Sequence, residues 1–242
     1  MPNDFGGKTA VVTGGTRGIG LSIARAFIDE GANVFICGRT PSSLASALEE
    51  LARAGGPRAA GIAADVRRHA DCRKLIEAAA ERFGGIDVLV NNAGVGLFKP
   101  VDEITPEEWD SLIATNLSGA FYCTREAIPH LRRRAGGYIF NVSSLAGINA
   151  FPGGTAYNAS KFGLNGFSEA LMQDLRYDGI RVSYLLPGSV DTGFRPSAGA
   201  APQTWKLTGE DVARAVIDLY RFPARALASR IELRPSQPPK KG

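Results

Sequence analysis

The apolar run Thr9-Ala-Val-Val-Thr13 leads directly into Gly14-Gly-Thr-Arg-Gly-Ile-Gly20, and a helical pattern opens near Ile19. Few backbones can stop a strand, turn and start a helix in so short a space. Gly14 permits the tight turn, Gly18 lets the backbone approach a bound group, and Gly20 lets the helix pack closely on the strand. The helix N-terminus then offers unpaired N–H groups, which suit a diphosphate. Thr16, Arg17 and Ile19 complete the loop and count with its glycines as binding candidates. The spacing is GxxxGxG, in the strand–turn–helix context that a dinucleotide site requires.

From there short apolar runs alternate with longer amphipathic ones. The patterns predict strands over 9–13, 33–37, 59–63, 86–91, 138–143, 181–186 and 230–233. They predict helices over 19–30, 42–54, 70–83, 106–133, 156–177 and 209–220. Continuous runs such as TAVVT and DVLV suit strands covered on both faces of a parallel sheet. Right-handed crossovers then give an α/β, doubly wound fold. The expectation is one domain over 1–234, with the proline-rich end 235–242 as a flexible tail.

Composition narrows the function. The net charge is +4, but basic residues are dispersed apart from Arg132-Arg133-Arg134, so no nucleic-acid partner is expected. No apolar stretch reads as a signal peptide or membrane span, and no membrane partner is expected. Three scattered cysteines (Cys37, Cys72, Cys123) suit buried thiols in a reducing cytoplasm. The two histidines, His69 and His130, have no ligand-spaced neighbour, so no metal is expected.

Tyr157 and Lys161 stand one helical turn apart, so both side chains project from one helix face. A phenol beside an ammonium can hand a proton to a carbonyl. TGGTRGIG, Asn91-Asn92-Ala93-Gly94, Asn116, Ser144, Tyr157-x-x-x-Lys161 and Pro187-Gly188 follow one another over 8–192. In order and spacing they resemble the short-chain dehydrogenase/reductase family, in particular its β-ketoacyl-ACP reductases. The resemblance implies a Rossmann-type, seven-stranded parallel sheet with helices on both faces, and carbonyl–alcohol redox chemistry.

It also implies roles. Tyr157 is the general acid/base, Lys161 lowers its pKa and binds ribose hydroxyls, and Ser144 holds the substrate oxygen. Ser143 is the rival serine, because adjacent strand-end residues point oppositely; the family's spacing selects Ser144. Asn116 resembles the asparagine that bends its helix and anchors a water linked to the lysine. Asp65 and Val66 resemble the pair holding adenine, although a strand-end cap would read alike. Asn92, Ala93 and Gly94 resemble the segment along the ribose and nicotinamide, and Pro187, Gly188, Val190 and Thr192 the one closing on the nicotinamide.

Where NAD-preferring members carry Asp after the second strand, this chain reads Gly38-Arg39. Arg39 and Arg17 together suit a 2′-phosphate, so NADP(H) is the expected cofactor. The substrate wall is expected from Gly96, Phe98, Ala146, Ile148, Phe151, Ser189, Phe194 and Trp205, with 193–207 as a lid. It is mostly apolar and suits a small-molecule or acyl-thioester carbonyl. Arg132–Arg134 could receive an acidic carrier, but Asp178 stands where that subgroup tends toward a basic residue. A homodimer or homotetramer is expected through the two long helices. The rival function is a non-catalytic NADP(H) sensor or scaffold on the same fold.

Overall fold

The structure is a computed structural model that describes residues 5–134, 136–192 and 204–239. Seven parallel strands form one sheet: β1 (Thr9–Val12), β2 (Asn33–Gly38), β3 (Ala59–Ala63), β4 (Val88–Asn91), β5 (Tyr138–Val142), β6 (Arg181–Pro187) and β7 (Arg230–Leu233). Their order is β3-β2-β1-β4-β5-β6-β7. The chain therefore builds outward from β1 in one direction, returns, and builds outward in the other. The helices are α1 (Gly18–Asp29), α2 (Pro41–Gly55), α3 (His69–Phe83), α4 (Pro106–Ile113), α5 (Gly119–Arg132), α6 (Thr155–Leu175) and α7 (Gly209–Tyr220).

Strand side chains alternate between two cores, as a period of two demands. Ala10 and Val12 join Ile23 and Phe27 of α1 and Val216 of α7 on one face. Val11 joins Leu75 of α3, Cys123 of α5 and Leu171 of α6 on the other. Both faces are covered, which explains why these strands read as unbroken apolar runs.

The expected helix over 106–133 is two helices. A capping box starts α4, with Thr105 Oγ1 accepting from Glu108 N (3.2 Å) and Thr105 N donating to the Glu108 carboxylate (3.1 Å). A π-helical turn, Ala114–Ser118, then separates α4 from α5. Its cause is Asn116, which is buried and bonds the backbone of Val95 rather than solvent. The predicted helix over 156–177 likewise ends at Leu175 and passes into a 3-10 turn, Arg176–Asp178, ahead of Gly179 at φ 70°. Of the expected tail, residues 240–242 lie outside the described residues.

The three thiols are unpaired and buried in the second core. Burial pushes Cys37 up to about 12, and a hydrogen bond with Cys72, together with burial, pushes Cys123 well up. Thiolate is the reactive form. Native protein treated with iodoacetamide at pH 8 should therefore take up no label by intact mass, against three per chain in denaturant. Rapid native labelling would show that this core opens.

Candidate active site

The site forms where the strand order reverses. β1 and β4 are neighbours, but their following segments leave in opposite directions, opening a crevice beyond their carboxyl ends. At its base Gly14 and Gly18 adopt φ values of 63° and 52°, which favour glycine. A Cβ on Gly20 would strike the Gly14 carbonyl oxygen and the Asn92 amide, and one on Gly14 would lie 2.9 Å from Ala93 Cα. Thr13 Oγ1 accepts from both Asn92 N and Ala93 N (3.0 Å each). Asn92 Nδ2 donates back to Thr13 O (3.0 Å) and Gly14 O (3.2 Å). The glycine-rich loop and the NNAG segment are thus one hydrogen-bonded unit.

A cavity of about 460 Å³ lies above it, and every cofactor-binding candidate from Gly14 to Thr192 borders it. Arg17 borders it from the loop after β1 and Arg39, Thr40 and Ser43 from the segment after β2; Ser144 borders it from the end of β5, and Tyr157 and Lys161 from α6. Thr40, Ser43 and Thr115 were not legible as cavity residues. A Cβ on Gly38 would lie 2.5 Å from Thr16 Cγ2, so the threonine methyl fills the place of any side chain at 38. The glycine-lined base and the N-terminus of α1 fit a dinucleotide diphosphate.

Tyr157 stands in the first turn of α6 and Lys161 one turn on, both buried. Lys161 Nζ lies 5.9 Å from the Tyr157 ring centroid and donates to Val142 O (3.0 Å). The two serines differ in the way their order along the strand suggests. Ser143 Oγ donates to Asn165 Oδ1 (2.5 Å), into α6. Ser144 Oγ accepts from Ala146 N (3.1 Å) and borders the cavity beside Tyr157. Asn116 does not border the cavity. It lies behind it, bonded to Val95 N (2.8 Å), Val95 O (2.9 Å) and Ser160 Oγ (3.0 Å), and Ser160 Oγ donates to Tyr157 O (2.8 Å). The π turn is thereby tied to α6.

Two asparagines escaped the sequence reading. Asn158 Nδ2 donates to Ala146 O (2.5 Å) and Asn149 O (3.1 Å), and Asn165 Nδ2 to Gly147 O (2.9 Å). Together they fix the segment that carries Ser144. Their signal was present: two amides seven residues apart on the buried face of an amphipathic helix.

On the substrate side, the Phe98 ring lies 5.3 Å from Tyr157 and 6.0 Å from Phe151, beside Ala146. Phe194 and most of the expected lid, 193–203, lie outside the described residues. The basic triplet is partly committed elsewhere: Arg132 pairs with Asp178 (2.7 Å), and Arg134 donates to Gly84 O (3.0 Å).

A model of the short-chain dehydrogenase family matches residues 8–203. The chain belongs to that family. It is 40% identical over 187 residues to a D-β-hydroxybutyrate dehydrogenase of Cupriavidus necator, covering 77% of this chain and 72% of that one. It is 31% identical to an uncharacterized oxidoreductase of Staphylococcus aureus, covering 94% and 97%. A metagenomic short-chain oxidoreductase crystallised with NADP superposes with a TM-score of 0.84 at 35% identity, covering 97% of this chain and 100% of that one. Among the described residues no helix is long and apolar enough to cross a membrane.

Burial lowers Lys161 from 10.5 to about 8. Between those values the unfolded chain holds a proton that the folded one has released, so apo stability rises with pH from about 8 to 10.5. Below 8 the buried charge is a standing cost. Lys161→Met should therefore raise the apo Tm at pH 7 by about 2–8 °C, a gain that shrinks toward pH 10.5. Thermal melts across pH check it, and a lower Tm would contradict it.

Proposed function

We propose that this protein is an NADP(H)-dependent reductase that interconverts a carbonyl and a secondary alcohol, with Tyr157 as general acid/base. The observation that carries the proposal is the convergence of Tyr157, Lys161 and Ser144 on one side of a glycine-based cavity. A bound nicotinamide would supply or accept the hydride. Ser144 donates to the substrate oxygen and positions it, while Tyr157 gives that oxygen a proton in reduction and removes it in oxidation. Lys161, as an ammonium, favours the phenolate form of Tyr157. Asn116 holds the Val95 segment and, through Ser160, the backbone of Tyr157. Phe98 and Phe151 give the carbonyl an apolar, aromatic neighbour.

NADP(H) is favoured over NAD(H) by Arg17 of the glycine-rich loop and Arg39 after β2, with glycine and not a carboxylate at 38. The NADP complex of the metagenomic relative supports that choice. The hydroxybutyrate dehydrogenase relative makes 3-oxo compounds, as free acids or thioesters, the first to try. Docking of an acidic carrier is weakened by the Arg132–Asp178 pair. We further read residues 1–234 as one domain, 235–242 as a tail, and the cytoplasm as the compartment. Phe121 of α5 and Phe162 of α6 are large exposed apolar side chains, which suits these helices to a homodimer, or to one interface of a homotetramer.

Tyr157→Phe should lower kcat/KM by about 10²–10⁴-fold while NADPH still binds. Normal turnover by that variant would overturn the mechanism, and a wild type silent on a broad carbonyl panel would favour a cofactor sensor. Arg39→Asp should cut the NADPH/NADH preference by about 10- to 150-fold. An unchanged ratio in steady-state kinetics would exclude Arg39 from the 2′-phosphate site.

A further inference from the structure

Asp65 is the one carboxylate among the described residues that border the cavity. It follows Ala64, whose N–H donates to Gly38 O (3.0 Å), so the end of β3 that carries Asp65 lies beside the end of β2 that carries Arg39. An ionised carboxylate there would repel a 2′-phosphate and work against the two arginines. It would not repel the hydroxyl of NAD(H). Acidity at this end therefore bears on which cofactor is chosen, whatever Asp65 does for adenine.

Arg67, two residues on, lies outside the cavity and grips Asp65 from behind. Its Nε lies 3.0 Å from both carboxylate oxygens and its Nη2 2.5 Å from Oδ2, while its backbone N–H donates to Oδ1 (3.1 Å). The remaining guanidinium nitrogen, Nη1, donates to Ser111 Oγ on α4 (3.1 Å), which fixes the side chain from a second element. The forked geometry makes this a strong form of ion pair. Arg67 is the largest influence holding the Asp65 carboxyl below its ordinary range. The neighbouring acid, Asp71, accepts from Asp65 N (3.1 Å) and is faced by Arg68 at 3.5 Å.

We infer that Arg67 is a specificity-determining residue that cancels the charge of Asp65, so that the adenosine end of the cavity tolerates a 2′-phosphate. The inference rests on the NADP(H) reading above and adds a residue that does not touch the cofactor. Arg17 and Arg39 attract the phosphate; Arg67 removes what would repel it. The selectivity of the site then depends on an ion pair between a lining residue and one behind it.

The test is a double-mutant cycle on cofactor affinity, with Kd for NADPH and NADH measured by titration at one fixed salt concentration. Arg67→Ala should lower the NADPH/NADH affinity ratio about tenfold, mostly through NADPH. Asp65→Asn should raise the ratio, since any lost adenine contact is common to both cofactors. The double variant should return to within about threefold of wild type. Should Arg67→Ala fail to fold, Asp65→Asn alone decides, and a ratio that does not rise overturns the inference. Equal weakening of both cofactors in Arg67→Ala would make the residue merely structural. A loss that Asp65→Asn does not restore would mean that Arg67 meets the phosphate directly, and either result overturns the inference. A wild type without NADPH preference overturns the cofactor reading as well. A preference that responds to Arg39→Asp but not to Arg67→Ala overturns this inference alone.

Discussion

The end of β1 and the first turn of α1 lie so close that no side-chain carbon fits between them. The Gly20 α-carbon sits against the Gly14 carbonyl and the Asn92 amide, and that approach aims the N-terminus of α1 into the crevice. It also delivers the amide of Asn92 to the carbonyls of Thr13 and Gly14, which fastens the segment after β4 to the turn after β1. The two strands flanking the topological switch are thus joined at their carboxyl ends as well as along their ladder. The cavity walls over 14–20 and 92–94 follow from this contact, because each is reached from it by a few bonded residues.

The opposite wall depends on α6. One helical turn sets the Tyr157–Lys161 relation, but the groups around it come from elsewhere. Ser144 arrives from β5 on a segment held by Asn158 and Asn165, and Val95 arrives from β4 held by Asn116. Side-chain amides bond backbone groups of irregular segments here, where no strand or helix ladder could satisfy them. The widened turn at Ala114–Ser118 allows Asn116 to face inward from a helix that would otherwise present it less directly. Lys161 is buried, which penalises its charged form.

Charge in this protein acts locally. The net excess of +4 says little, since Arg132 and Arg134 are turned toward the chain's own groups. At the cavity Arg17, Arg39 and Asp65 share the lining, and Arg67 pairs with Asp65 from behind. That arrangement cannot be counted from composition, because it depends on which side chain pairs with which.

The sequence by itself determined the strands, the burial of the central ones on both faces, the glycine-rich turn and the Tyr157–Lys161 pair. Each of these rests on residues close together in the chain, where periodicity and backbone sterics decide the outcome. It ran one helix over 106–133 and marked a bend at Asn116 by resemblance, without the π turn that Asn116 makes in reaching Val95, twenty-one positions away. It left Asp65 as a residue beside a binding site, with no sign that Arg67 and Ser111 hold it. It could order Ser143 and Ser144 only by the family's spacing, whereas Asn165 of α6 draws the first of them away from the cavity. Those points were decided by tertiary structure alone, since polar side chains choose partners by proximity in space and chain order does not encode that distance.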